Sequence, residues 1–150
     1  MSFVDPHDYQ HGPVDVFVSG SHRDLKIRPL TELLKSAGLS IFHSGLGLPA
    51  GMEYTTYIQH YLEHANTILV CWCPDSIKSA WVNGEAEFAR IKERLVACKT
   101  ETCDLMPPFN IFQTVDLTGW NVKDGEDANF RALVKLLKHR ASGGIATFSQ

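Results

Sequence analysis

The chain has 150 residues, 44% hydrophobic and 21% charged, with a formal net charge of −3. That composition suits one globular domain with one core, large enough to fold without a disulfide or metal staple. The acidic balance argues against general nucleic-acid binding, which draws on a basic excess, and the longest apolar run, ILVCWC at 68–73, is far shorter than the roughly 20 residues of a membrane-spanning helix.

Residues 1–13, MSFVDPHDYQHGP, have no apolar stretch of the secretory kind and read as a flexible lead-in, so a cytoplasmic location is expected. The first strand is VDVFVS, Val14–Ser19, closed by the turn-rich GSHRD. A helix over about Arg28–Ala37 follows, with Leu30, Leu33, Leu34 and Ala37 at helical spacing and Ile27 extending the stripe backward. Pro29 fits its first turn and Gly38 its stop. The second strand is LSIFH, Leu39–His43. After a glycine-rich loop comes a helix over about Met52–His64, with Tyr54, Ile58, Tyr61, Leu62 and Ala65 inward. TILVCWC, from Thr67, is apolar on both faces, the mark of a central strand in a parallel sheet. Pro74 ends it, and Ser79 is placed to cap a third helix running to about Glu93.

Beyond that, RLVACK reads as a short strand, TETCDLMPPFN as a loop and FQTVDL as an edge strand. DANFRALVKLLKHR is an amphipathic helix with Phe130, Leu133, Val134 and Leu137 inward, and ASGGIATFSQ, 141–150, is a linker or disordered tail. Strand and helix alternate about five times, which implies a parallel sheet with helices on both faces. Ligands of such sheets bind beyond the carboxyl ends of the strands, and those ends here carry 19–24, 43–51 and 73–79.

Cys71, Cys73, Cys98 and Cys103 have no C-x2-C spacing and read as reduced thiols, some in the core. Among seven histidines only His60 and His64 have i,i+4 helical spacing, and they lack the glutamate of a zinc motif, so no metal is expected. The loop HSGLGLPAGMEY carries Gly45, Gly47 and Gly51. Its G-x-G-x-x-x-G spacing, in the second strand–helix turn and with Pro49 removing an N–H, fits a dinucleotide fingerprint poorly. A loop shaped by a ligand or partner fits better.

The third helix carries Trp81, Glu85 and Phe88 at i, i+4 and i+7, an acid between two aromatics on one face. Glu85 is placed either as a partly exposed brace near the helix N-terminus or as a functional carboxylate near the end of the central strand.

Taken together, VDVFVSGSHRD, PLTELLKSAGLSIFHSGLGLPAG, ILVCWCPDSIKSAWVNGE and VDLTGW with DANFRALVKLL resemble, in order and spacing, a Toll/interleukin-1 receptor (TIR) domain of bacterial type. The likeness covers about 14–140. It implies a flavodoxin-like α/β sandwich with five parallel strands, and it makes residues 43–54 the BB loop. It also implies one of two activities. One is cleavage of NAD+ at the nicotinamide–ribose bond, as hydrolase or cyclase, in bacterial antiphage defence or signalling. The other is a non-catalytic adaptor that self-associates through the BB loop.

In the catalytic case Glu85 is the key carboxylate and Trp81 the aromatic wall. Gly20, Ser21 and His22 line the pocket, with Phe42 and Ser44 nearby, although Phe42 also fits the core and Ser44 a turn. Assembly falls to Gly45, Leu46, Gly47, Leu48, Pro49 and Gly51. The implied partners are NAD+ as substrate, other TIR domains in an oligomer or filament, and a fused or partner sensor, with no cofactor, nucleic acid or membrane. A related N-glycosidase of the nucleoside deoxyribosyltransferase kind also relies on a glutamate, but lacks the BB-loop likeness. Four departures stand out: Ser44 where an acid is common, Gly20 where an aromatic is common, L-P-A-G in place of L-x-P-G, and RLVACKTETC in place of the usual I-P-V ending of the fourth strand.

Overall fold

In the computed structural model, which describes residues 14–43 and 54–143, the elements are β1 (Val16–Ser19), α1 (Ile27–Ser36), β2 (Ile41–His43), α2 (Tyr54–His64), β3 (Thr67–Trp72), α3 (Ala80–Ile91), β4 (Leu95–Lys99), β5 (Thr114–Asp116) and α4 (Ala128–Ala141). All five strands are parallel, in the order β2-β1-β3-β4-β5. This is the flavodoxin-like doubly wound order. The continuous apolar run of β3 earns the central position, and every residue of it is buried.

Strand alternation divides the core into two layers. Val16, Val18, Leu69, Cys71, Val96 and Cys98 face α1 and α4, meeting Leu30, Leu34, Phe130, Leu133 and Leu137. Phe17, Phe42, Ile68, Val70, Trp72 and Ala97 face α2 and α3, meeting Ile58, Tyr61, Val82, Ala86 and Ala89. All four cysteines are buried free thiols. Cys71 and Cys98 are register partners with sulfurs 3.7 Å apart, and the Cys98 contact together with burial holds the Cys71 thiol well above the ordinary range.

Local chemistry sets the ends. Gly38, at φ +100°, follows α1 in the left-handed conformation that glycine adopts without strain. Ser79 caps α3 by accepting from the Val82 N–H, and Asp127 caps α4 by accepting from the Phe130 N–H. Three expectations shift. β2 begins at Ile41 rather than Leu39, because Ser40 is held in a reciprocal pair with Asp15: its N–H donates to the carboxylate and its Oγ accepts from the Asp15 N–H. β5 is only Thr114–Asp116, cut short as Asp116 turns to accept from the Thr118 N–H and hydroxyl. The described residues hold four α-helices rather than five strand–helix units. The β4–β5 connection carries Pro107 and Pro108, which cannot continue a helical ladder, and forms only a 3-10 turn at Phe109–Ile111.

Candidate functional site

The chain leaves β1 toward β2 on one side, and β3 lies on the other, so the topological switch point falls between β1 and β3. There the carboxyl ends of two neighbouring strands diverge and leave a crevice. From β3 the chain passes Pro74 into a 3-10 turn at Ser76–Lys78. The Ser76 hydroxyl pins that turn, accepting from the Cys73 N–H at 2.8 Å and lying 3.0 Å from the Cys71 carbonyl. Asn83 then donates to the carbonyls of Ile77 and Ser79, fixing how α3 begins. With its start fixed, α3 turns Val82, Glu85, Ala86 and Ala89 inward.

Glu85 is therefore a carboxyl on a face of small apolar residues, 5% exposed. Its Oε1 accepts a 2.6 Å hydrogen bond from the hydroxyl of Ser19, the last residue of β1, which is wholly buried. Its Oε2 is buried and accepts no hydrogen bond among the described residues. Burial raises the carboxyl from the ordinary 4.5 to about 7, against the opposing pull of the Ser19 hydroxyl and then the Trp81 indole. Near neutrality the group is thus divided between acid and carboxylate, so it is the full carboxylate of the sequence reading only above about pH 7.

Beside Glu85 lies a cavity of about 430 Å³ between α2 and α3, lined by Ile58, Gln59, Leu62, Glu63, Ala80, Trp81, Gly84, Glu85 and Phe88. It is mostly apolar with a few polar groups, the usual make-up of a small-molecule site. Trp81, Glu85 and Phe88 meet there, as their spacing predicts. Trp81 is 45% exposed, so its indole forms a wall open to solvent. A Cβ on Gly84 would touch nothing within 4 Å, so no packing demand explains that glycine.

Of the other sequence-predicted residues that are described, Gly20, Ser21, His22 and Phe42 are not among those lining this cavity. Gly20 faces the other layer: a Cβ there would stand 2.3 Å from Ile27 Cδ1 and 3.3 Å from the Cys71 Cβ. A side chain at Gly20, such as the aromatic that the resemblance makes common there, would have to displace the terminal methyl of the buried Ile27. The Ser21 hydroxyl accepts from the Arg23 N–H within its own turn, and His22 is exposed. Phe42 is core, stacked on Tyr61 with ring centroids 4.1 Å apart. Ser44, Gly45, Leu46, Gly47, Leu48, Pro49 and Gly51 lie outside the described residues.

Two polar residues escaped the sequence reading. Ser19 reads as an ordinary strand end, and only its alternation with Phe17 places it on the α3 side. His43, at the end of β2, is 7% exposed with neither ring nitrogen hydrogen-bonded among the described residues. Burial, and then the Arg28 cation, lower it from 6.5 to about 4, so it is a neutral imidazole at pH 7. Among the described residues no group of three or more His, Cys, Asp or Glu is placed to hold a metal ion. No helix among them is long and apolar enough to cross a membrane.

The family model of the TIR domain matches residues 16–134. The chain is similar in structure to the TIR domain of the Toll-related receptor TRR-2 from Hydra magnipapillata, with a TM-score of 0.69 and 20% identity over 83% of this chain and 98% of that one. It is also similar to a metazoan TIR-STING receptor from C. gigas, solved in complex with 2',3'-cGAMP. There the TM-score is 0.64 and the identity 15%, over 83% of this chain and 39% of the receptor. At these identities the likeness is one of fold. Comparison with curated proteins gives no match.

Proposed function

The chain belongs to the TIR domain family, and on that premise we propose that it cleaves NAD+ at the nicotinamide–ribose bond, with Glu85 as the catalytic carboxylate. One observation carries the reading. Glu85 is a buried carboxyl with one oxygen unengaged by the described residues, and it lines a cavity walled by a half-exposed tryptophan. Salt-bridged surface acids look different: Glu87, on the same helix, is paired with Arg90 at 2.6 Å. No such pair holds Glu85 among the described residues.

The chemistry suits a single carboxylate. Ordinary glycosides need a second acid to protonate a poor leaving group. In NAD+ the nicotinamide nitrogen is already cationic, so it departs neutral when the C–N bond breaks and takes the bonding pair with it. The ribose carbon is left electron-poor. A carboxylate beside it, in a site with few competing dipoles, stabilises the developing positive charge and accepts a hydrogen bond from a ribose hydroxyl. The Trp81 face supplies a flat, electron-rich surface for a cationic ring, and Ile58, Leu62 and Phe88 add apolar lining around it. Water, or a nucleophile within the dinucleotide itself, then completes hydrolysis or cyclisation.

Incubation with NAD+ at high protein concentration, with chromatographic detection of free nicotinamide, tests the reading. The wild type releases nicotinamide and Glu85→Gln, still folded, releases none. Retained turnover in Glu85→Gln refutes Glu85 as the catalytic carboxylate, and no release by the wild type at any concentration favours the adaptor reading. We also read residues 45–51 as an assembly element, so that the specific rate rises with protein concentration. A role as effector in bacterial defence or signalling, with a sensor domain supplying the trigger, belongs to the same proposal.

A further inference from the structure

β1 reads VFVS, three apolar residues and then a serine with no exposed surface. A buried hydroxyl must find a partner or carry its full desolvation cost, and the partner of Ser19 lies 66 positions away on α3. A serine hydroxyl has one proton to give, and Ser19 gives it to Oε1 of Glu85 at 2.6 Å, the short distance of a charge-assisted bond. The two carboxyl oxygens are consequently unlike. Oε1 is tied to the sheet, and Oε2 has no hydrogen bond among the described residues.

We propose that Ser19 is the positioning residue for Glu85, holding its carboxylate in one orientation and leaving Oε2 as the acceptor offered to a single ribose hydroxyl. The assignment of the ribose rests on the NAD+ reading above; the coupling of Ser19 to Glu85 does not. Gly20, the next residue, faces the opposite layer, so Ser19 is where β1 ends against α3. The charged and titratable groups described on the elements around Glu85 are His60, Glu63 and His64 on α2, Lys78 on the 3-10 turn, Lys99 at the end of β4, and Glu87 and Arg90 on α3 itself, which pair with each other. None forms an ion pair with Glu85 among the described residues, and no Lys, Arg or His is among the described residues lining the cavity. The Ser19 hydroxyl is accordingly the main group favouring the anion, and the Trp81 indole comes second.

The test is a titration of the Glu85 side-chain carboxyl carbon by NMR in glutamate-labelled protein, beside the pH dependence of nicotinamide release. In Ser19→Ala the Glu85 midpoint moves up by about one unit, and turnover falls more at pH 6 than at pH 9. In Ser19→Cys, with its weaker donor, the midpoint lies between the two. A serine that merely filled space would leave the midpoint in place, and an unmoved midpoint in folded Ser19→Ala overturns the proposal. Should that variant not fold, the wild type decides. Above pH 7 the Ser19 hydroxyl proton is slow to exchange and shows a cross-relaxation peak to the Glu85 side chain, and its absence overturns the proposal equally. If the midpoint moves but the wild type releases no nicotinamide, the NAD+ reading fails and the coupling stands.

Discussion

Replacing Glu85 by Gln removes the charge and keeps an acceptor for the Ser19 hydroxyl, so it separates titration from shape. The Glu85 carboxyl is raised from 4.5 to about 7 in the folded chain, and the folded state therefore binds its proton more tightly than the unfolded state does. The sign follows: this group's contribution is most favourable below pH 4.5 and is lost as pH rises through 7. At roughly 1.4 kcal/mol per pH unit, the wild type forgoes about 3 kcal/mol between those limits. Glu85→Gln forgoes none of it. Whatever fixed cost the amide carries, its stability relative to wild type improves by about 3 kcal/mol from pH 4 to pH 8. Urea unfolding of both proteins across that range, read by circular dichroism, measures the difference. Glu85→Gln therefore gains on the wild type as pH rises, the direction expected where a buried carboxyl is kept at a cost in stability. Two curves that run parallel with pH would refute the reasoning, because they would mean that Glu85 titrates alike in folded and unfolded chains.

Other expectations follow from single side chains. His43, neutral and lowered to about 4 by burial and Arg28, has the opposite sign: its contribution is present above pH 6.5 and is lost as pH falls toward 4, by about 3 kcal/mol. A His43→Leu chain lacks that loss on acidification, and the same denaturation series checks it. Because the two windows nearly coincide, the wild-type curve is flatter there than either single variant. Trp81→Ala lowers kcat/KM for NAD+ by about tenfold while costing only about 1 kcal/mol of stability, the residue being half exposed. Gly20→Ala costs about 1–3 kcal/mol, since its methyl meets Ile27 Cδ1 and the Cys71 Cβ. Ile27→Val, which removes that Cδ1, recovers part of the loss in a double-mutant cycle, whereas strict additivity would show that the clash is not there.

The sheet was legible because each strand carries its own signature. The two-faced apolar run at 67–72 could only be central, and helical spacing in 28–37 and 127–140 left few alternatives. The acid-between-aromatics pattern on α3 likewise put Trp81, Glu85 and Phe88 on one face, and that face does line the cavity. What the sequence hid was everything decided by a distant partner. Ser19 reads locally as the last residue of a strand, and only the meeting of β1 with α3 turns it into a hydrogen-bond donor. Gly20, which the resemblance alone puts beside the pocket, follows the end of β1 with its α-carbon turned toward Ile27 and Cys71 in the other layer. Ile58 and Leu62 were read as core, yet they also line the cavity, because α2 and α3 stay apart near Trp81. The perturbed states of Glu85 and His43 depend on depth of burial, which no local pattern carries.

The central claim, that the ionised form of Glu85 does the chemistry, is tested most directly by the pH profile of kcat/KM for nicotinamide release between pH 5 and 9. A single ionisation near 7 is expected, with the rate rising about tenfold per unit below it and level above. A rate that falls as pH rises through 7, or one that is flat across the range, would contradict it.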